Sequence, residues 1–289
     1  MAGPIWELDF YSRPVLDENQ KKLWEVLICE SPQDVQRSFD SLFKYTQFCQ
    51  NTQVNSLFLQ EAIQAAIAQA PESPKQIRFF RRQMNNMIEK ACTDLGIKAT
   101  PSLRTYALQQ WLQQRQATVY PQQEGYDPKA AQSPAVQYPV QDPAPLPDAV
   151  RGDKDDKWAF VTLEVAQLHQ MNDWDIAFGE GFSPAMVGLS DQARVPGVLI
   201  FSPRAMPLAG WMSGLEIAAL QFLGGSLPRL VLQTGFGDNW ILADIKDETT
   251  RAEAEGFEQA KKRAQRVHFF AIQQSPESES FAGFWLLQA

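Results

Sequence analysis

The sequence predicts an α/β (or α+β) protein of two domains, each a mixed β-sheet with packed helices, joined by a proline-rich linker. Three observations carry that expectation. The 289 residues exceed the roughly 100–200 of an ordinary domain. Short alternating apolar and polar runs recur between stretches whose apolar residues fall three and four apart. Between Pro121 and Val150 stand seven of the 19 prolines, a density that removes amide donors and favours extended chain. The domains are expected at 1–120 and 151–289, with the linker at 121–150.

In the first domain, Ile5–Tyr11 alternates apolar and polar residues, Leu23–Cys29 does so less strictly, and Leu42–Phe48 completes three successive strands. Asn55 or Ser56 can cap a helix reaching Ala70, where Leu59, Ile63, Ala66, Ile67 and Ala70 make an apolar stripe that Pro71 ends. There follow a strand at Gln76–Phe80, a helix at Gln83–Leu95 closed by Gly96, an extended piece at Ile97–Thr100 and a helix at Leu103–Gln116. The second domain opens with a strand at Trp158–Val165 and has a buried strand at Val198–Ser202. A helix is expected over Leu208–Phe222, ended by Gly224 and Gly225. A hairpin joins Arg229–Thr234 to Asn239–Asp244, turning at Gly235–Asp238. The helix Thr250–Arg266 then precedes a strand pair, Val267–Gln273 and Phe281–Leu287.

Composition narrows the function classes. A hydrophobic content of 44% excludes a chain disordered throughout. No stretch reaches the ~18 uninterrupted apolar residues of a membrane span, and Met1–Glu7 has neither a basic leader nor an apolar signal core. No integral membrane association is expected, and the protein should stay in the compartment where it is made. Cys29, Cys49 and Cys92 are an odd number without close spacing, which argues against a disulfide framework or structural zinc. Only His169 and His268 exist to serve a metal site or a catalytic triad, so no metal, cofactor or catalytic residue is expected. His268, in an apolar strand, reads as a satisfied core histidine.

The net charge of -8 speaks against nucleic acid until it is divided along the chain. Residues 1–120 carry net +1, the linker net -3 and residues 151–289 net -6. Within the first domain, Lys75, Arg78, Arg81, Arg82, Lys90, Lys98 and Arg104 face only Glu89 and Asp94 over the same span. Arginine forks suit phosphate oxygens, and Phe79 or Phe80 beside them can stack on an unpaired base. The competing reading makes the arginines a solvated face, and strand alternation puts at least one of the two phenylalanines in the core. The cluster Lys261–His268 at the end of the second domain's long helix reads as favourable charge at a helix C-terminus.

Glu7 and Asp9 share one face of the first strand, with Glu25 or Glu30 on its neighbour, the convergence of carboxylates that a metal-dependent nuclease needs. The rest of such a constellation is missing, and pairing with Arg13 or with loop amides is the better expectation. Gly210–Gly214 lacks the spacing of a nucleophile elbow, and Gly235–Gly237 fits a turn better than a phosphate loop. Trp158, Trp240 and Trp285 read as core or interface anchors.

Several long motifs together resemble the Tab-type family of RNA-binding translation activators of cyanobacteria and chloroplasts. They are Trp6–Pro14, with Trp6, Glu7, Asp9, Ser12, Arg13 and Pro14; Arg78–Ile88; Trp111–Arg115 with Val119 and Tyr120; Pro196 and Gly197; and Arg204–Glu216, with Arg204, Pro207, Trp211, Gly214 and Glu216. His268–Gln273 and the terminal Gly283–Leu287, with Gly283 and Trp285, complete the set. The resemblance implies binding to the A/U-rich 5′ leader of a photosystem messenger RNA, translation of a photosystem I reaction-centre subunit, and a cytoplasmic, cyanobacterial-type location. It does not say which side chains touch RNA; the residues from Lys75 to Arg104 are the expectation here. The acidic second domain is expected to meet a protein partner. An assembly adaptor without RNA contact and, behind it, a nuclease-like enzyme stay open as alternatives.

Overall fold

The computed structural model describes residues 3–131, 142–148, 150 and 156–289. The chain divides into two compact units, Met1–Ser31 with Ser41–Pro139, and Pro32–Asp40 with Val140–Ala289.

In the first unit, β1 (Ile5–Leu16), β2 (Lys22–Glu30) and β3 (Lys44–Cys49) form an antiparallel meander. The chain then alternates: α1 (Ser56–Gln69), β4 (Gln76–Phe79), α2 (Asn85–Asp94), β5 (Lys98–Pro101), α3 (Tyr106–Thr118) and the short α4 (Pro128–Ala131). Strands β4 and β5 run parallel to β1, giving the order β3-β2-β1-β4-β5. Asn55 starts α1 by accepting the Phe58 amide at 2.9 Å, an N-cap worth about 1 kcal/mol.

Strand β1 is buried on both faces. Trp6, Leu8 and Phe10 alternate with Glu7 and Asp9. Phe10 stacks on Phe58 of α1 at 6.1 Å between centroids, while Glu7 accepts the Leu108 amide of α3 at 2.7 Å. The sheet is thus sandwiched, with an aromatic and aliphatic layer toward α1 and a polar, hydrogen-bonded layer toward α3.

The second unit contains β6 (Ala144–Pro145), β7 (Lys157–Glu164), α5 (Val165–Leu168), β8 (Ile176–Glu180), β9 (Arg194–Phe201) and α6 (Ala205–Ser213). It continues with β10 (Ile217–Leu223), β11 (Arg229–Thr234), β12 (Asp238–Asp244), α7 (Glu248–Arg263), β13 (Val267–Gln273) and β14 (Phe281–Gln288). One sheet has the order β7-β9-β13-β14-β8 and the other β10-β11-β12-β6. They share a core around Val198, Leu208, Met212, Leu220, Phe270 and Trp285.

Both units are mixed α/β, as expected, but three details differ. The span Leu208–Phe222 is not one helix. Helix α6 stops at Ser213, and Ile217–Leu223 is a strand paired with β11. Its Ala-Ala-Leu sequence suits a helix, and cross-strand burial of Ile217 and Leu220 overrides that propensity. Consequently Gly224 and Gly225 close a hairpin rather than a helix. Strand β8 carried no sequence signal strong enough to mark it. Within the stretch read as linker, Pro128–Ala131 packs on β1, and Ala144–Pro145 pairs with Trp240 and Ile241 at a sheet edge, where proline is tolerated.

Strand β10 lies at the edge of its sheet, yet three of its outward backbone groups are occupied. His268 Nε2 accepts the Leu220 amide at 2.8 Å and Glu258 accepts the Phe222 amide at 2.8 Å. Lys261 donates to the Leu220 carbonyl at 2.6 Å. His268 Nδ1 lies 2.9 Å from the Arg266 carbonyl, so the ring is a neutral imidazole with its proton on Nδ1. It is the satisfied core histidine that the sequence suggested. Lys261 is buried against Phe257 and Glu258, which adds an edge contact to the helix-end role expected of this cluster.

Among the described residues, no helix is long and apolar enough to cross a membrane. The three cysteines are buried free thiols.

Candidate nucleic-acid interface

The basic run does not form one patch. Lys75 and Lys98 are exposed at the amino ends of β4 and β5, where Gln76 pairs with Lys98. Arg81 and Arg82 follow the carboxyl end of β4, and Phe80 sits half-buried beside them. The four residues of β4 separate the two groups by about 13 Å, at about 3.3 Å per residue. Lys90 lies on α2 and is paired with Asp94 at 2.9 Å, one turn away.

Three of the expected contacts are core. Arg78 is 4% exposed, Arg104 2% and Phe79 0%. Arg78 and Phe79 are consecutive on β4 and so point to opposite faces of a central strand that is buried on both. Arg78 reaches Ser31 Oγ at 3.4 Å, and Arg104 lies over the Tyr106 ring at 5.2 Å. Contrary to the expectation from the sequence, Arg78, Phe79 and Arg104 thus present almost no surface that an RNA could touch.

What the arginines face is a buried carboxylate layer. Asp9 takes Arg13 Nη2 at 3.0 Å and both Nε and Nη2 of Arg81, the latter at 3.1 Å. Burial works against its charge, but the pull of Arg13 and Arg81 and their hydrogen bonds outweigh it, so the carboxyl is held below the usual carboxylate range. Arg13 is raised in return: burial opposes its charge, and Asp9, Tyr120 and Glu25 more than restore it. Glu25 accepts from Arg13 Nε at 2.9 Å, Tyr120 at 2.6 Å, Thr46 at 2.8 Å and Arg115. Burial, first, and the neighbouring Glu25 raise the Tyr120 phenol although Arg13 opposes them. Glu7 accepts from Ser31 at 2.7 Å and caps α3 through the Leu108 amide, where a carboxylate meets the positive end of the helix dipole.

The carboxylates that a metal-dependent nuclease would need are thus engaged by guanidinium, hydroxyl and amide donors, the pairing the sequence favoured. Among the described residues no group of three or more His, Cys, Asp or Glu is placed to hold a metal ion.

One surface feature at the carboxyl end of β4 was not anticipated. The Arg81 guanidinium carbon lies 3.9 Å from the Tyr11 ring centroid and 4.9 Å from that of Phe80. Tyr11 in turn meets Trp24 at 5.6 Å. All four side chains are half-buried, and Arg81 keeps 19% of its side chain exposed. Sequence offered Tyr11 as one position in an alternating strand and in the Trp6–Pro14 motif, not as a contact.

Residues 5–115 match the family model described as RNA-binding protein Tab2/Atab2 N terminal, and residues 133–288 match the one described as RNA-binding protein Tab2/Atab2, C-terminal domain. The chain belongs to the Tab2/Atab2 family. It is similar to the Protein TAB2 homolog, chloroplastic, of Zea mays, 38% identical over 294 residues that cover 98% of this chain and 70% of that protein. The Arabidopsis thaliana protein of the same description is 37% identical over 290 residues, covering 98% of this chain and 74% of that protein.

Most of the residues that the sequence resemblance singled out serve packing in this Tab2/Atab2 chain. Trp6 stacks on Phe43 at 5.3 Å, and Glu7, Asp9 and Arg13 form the buried layer. Ser12 and Pro14 are half-buried as β1 bends, and the Pro14 carbonyl accepts from Asp127 at 3.0 Å. In the second unit Arg204 precedes α6 and Gly214 caps it, while Glu216 leads into β10, its carbonyl accepting the Gly235 amide at 2.9 Å. Trp211 meets Trp240 edge-on at 5.6 Å, and Trp285 stacks on Phe270 at 5.8 Å. Gly283 leaves room for the Trp285 ring. Pro207 and Met206 are exposed on α6, Met206 at 53%.

Proposed function

We propose that this chain binds the A/U-rich 5′ leader of a photosystem messenger RNA and activates translation of a photosystem I reaction-centre subunit, in the cytoplasm of a cyanobacterial-type cell. The single observation that supports it most is that two family models described as RNA-binding cover both units. The RNA side is the first unit, which carries net +1 against the acid of the rest, with its accessible cations and rings at the two ends of β4. Global negative charge then restricts binding to those ends.

Crosslinking the native protein to RNA, with sequencing of both the RNA and the attached peptide, tests this directly. Photosystem leader sequences on peptides of the first unit are the expected result. Filter binding should show affinity falling with salt, with a slope of about -0.7 per phosphate contacted on a single strand. Recovery of no RNA, with salt-insensitive retention, rejects the reading and leaves the adaptor. For the second unit we propose a protein partner on α6, supported by exposed Met206 and Pro207 beside the half-buried Trp211. Met206→Asp should abolish co-purification of that partner while RNA binding is unchanged.

A further inference from the structure

Resting on the RNA reading above, we propose that Tyr11, Arg81 and Phe80 form a platform on which one unpaired nucleobase stacks, with Arg81 acting as a flat surface rather than as a phosphate ligand. Arg81 is bound through Nε and Nη2 to Asp9, a carboxylate with no exposed surface. A guanidinium already matched by a buried carboxylate gives little to a phosphate, but two bonds along one edge fix its plane. Its carbon lies 3.9 Å from the Tyr11 centroid and 4.9 Å from that of Phe80, so the guanidinium is already set against both rings before any ligand arrives. Such preorganisation removes the side-chain ordering cost that a loose aromatic would incur on binding.

Location and exposure agree with this use. The cluster lies beyond the carboxyl end of β4, which runs parallel to β1 and β5, and open α/β sheets take their ligands outside the carboxyl ends of parallel strands. Its members are half-buried, and Arg81, anchored on the fully buried Asp9, keeps 19% of its side chain exposed. Proteins read single-stranded RNA by stacking its bases on aromatic rings and arginine planes, whereas a base in a duplex has both faces covered by its neighbours. An unpaired base is therefore the occupant.

The test uses the full chain and a short, fluorescently labelled A/U-rich single-stranded RNA, titrated by anisotropy at several salt concentrations. Tyr11→Leu and Phe80→Leu remove one ring each and leave the Asp9–Arg81 pair in place; circular dichroism reports folding. Each variant should lose roughly 5- to 150-fold in affinity, with the salt slope of the unaltered protein. Tyr11→Phe and Phe80→Tyr, which keep a ring, should bind normally. A second readout needs no variant: 2-aminopurine placed in the RNA should be quenched on binding. Affinity unchanged in both leucine variants, a loss accompanied by a shallower salt slope, or bound 2-aminopurine that stays bright would each overturn the platform while the RNA reading stands. Failure of the unaltered protein to bind RNA at all overturns the RNA reading itself.

Discussion

At the scale of single residues, the first unit shows how a sequence rich in arginine can hide much of its charge. Asp9 and Glu25, carboxylates with no exposed surface, hold Arg13, Arg81 and Arg115, and breaking one such pair costs about 3–5 kcal/mol because a buried charge is left unmatched. Asp9→Asn should lower the unfolding free energy by about that much. It should also change the acid limb of the stability profile. The folded Asp9 carboxyl lies below its unfolded value, so its contribution is complete above about pH 4 and is lost as pH falls through the folded value. Urea unfolding from pH 7 down to 2 should show a steeper decline in the unaltered protein than in the variant. The thiols give a simpler check. Burial pushes Cys49 up to about 11 and Cys92 up to about 12, and Cys29 is raised as well, so none is a thiolate at pH 8. The native protein should resist a thiol reagent that titrates all three once it is unfolded.

At the scale of elements, packing decides where pattern leaves two readings. Gly197 of β9 lies opposite Phe269 of β13, and a Cβ there would stand 2.4 Å from that ring, which is itself stacked on Phe284 at 5.2 Å. Gly197→Val should cost about 1–3 kcal/mol through overpacking, read as a lower denaturation midpoint at an unchanged m value. Strands with strict alternation, such as β1, were legible in the sequence, as was α1 with its capping Asn55 and terminating Pro71. Strand β10 was not, because Ile217–Leu223 carries residues acceptable to helix and strand alike and only the partner β11 chooses between them. The same limit governed the candidate site. Sequence displayed the charges of Arg78 and Arg104 but not their depth, which is set by strands and helices distant along the chain. Tyr11 was missed for a related reason: Arg81, which stacks on it, is bound to Asp9 across a separation of 72 residues.

At the scale of the whole molecule, the excess acid lies in the linker and the second half, and the first 120 residues are close to neutral. That division was visible by counting, and it survives the loss of three expected contacts, because Lys75, Phe80, Arg81, Arg82, Lys90 and Lys98 keep exposed surface. What counting could not reveal was that β4 splits the run into two ends of one sheet, one made of lysines and the other of arginine and rings. The edge strand β10 carries a consequence for the protein in a crowded cell. Its outward amides at Leu220 and Phe222 and the Leu220 carbonyl are already bonded to His268, Glu258 and Lys261, which takes away three groups that a second chain would need to extend the ladder there. A double substitution, Glu258→Ala with Lys261→Ala, should make light scattering and thioflavin signal rise more steeply with concentration than in the unaltered chain. Three side chains placed over one strand thus occupy backbone groups through which a fibre would grow.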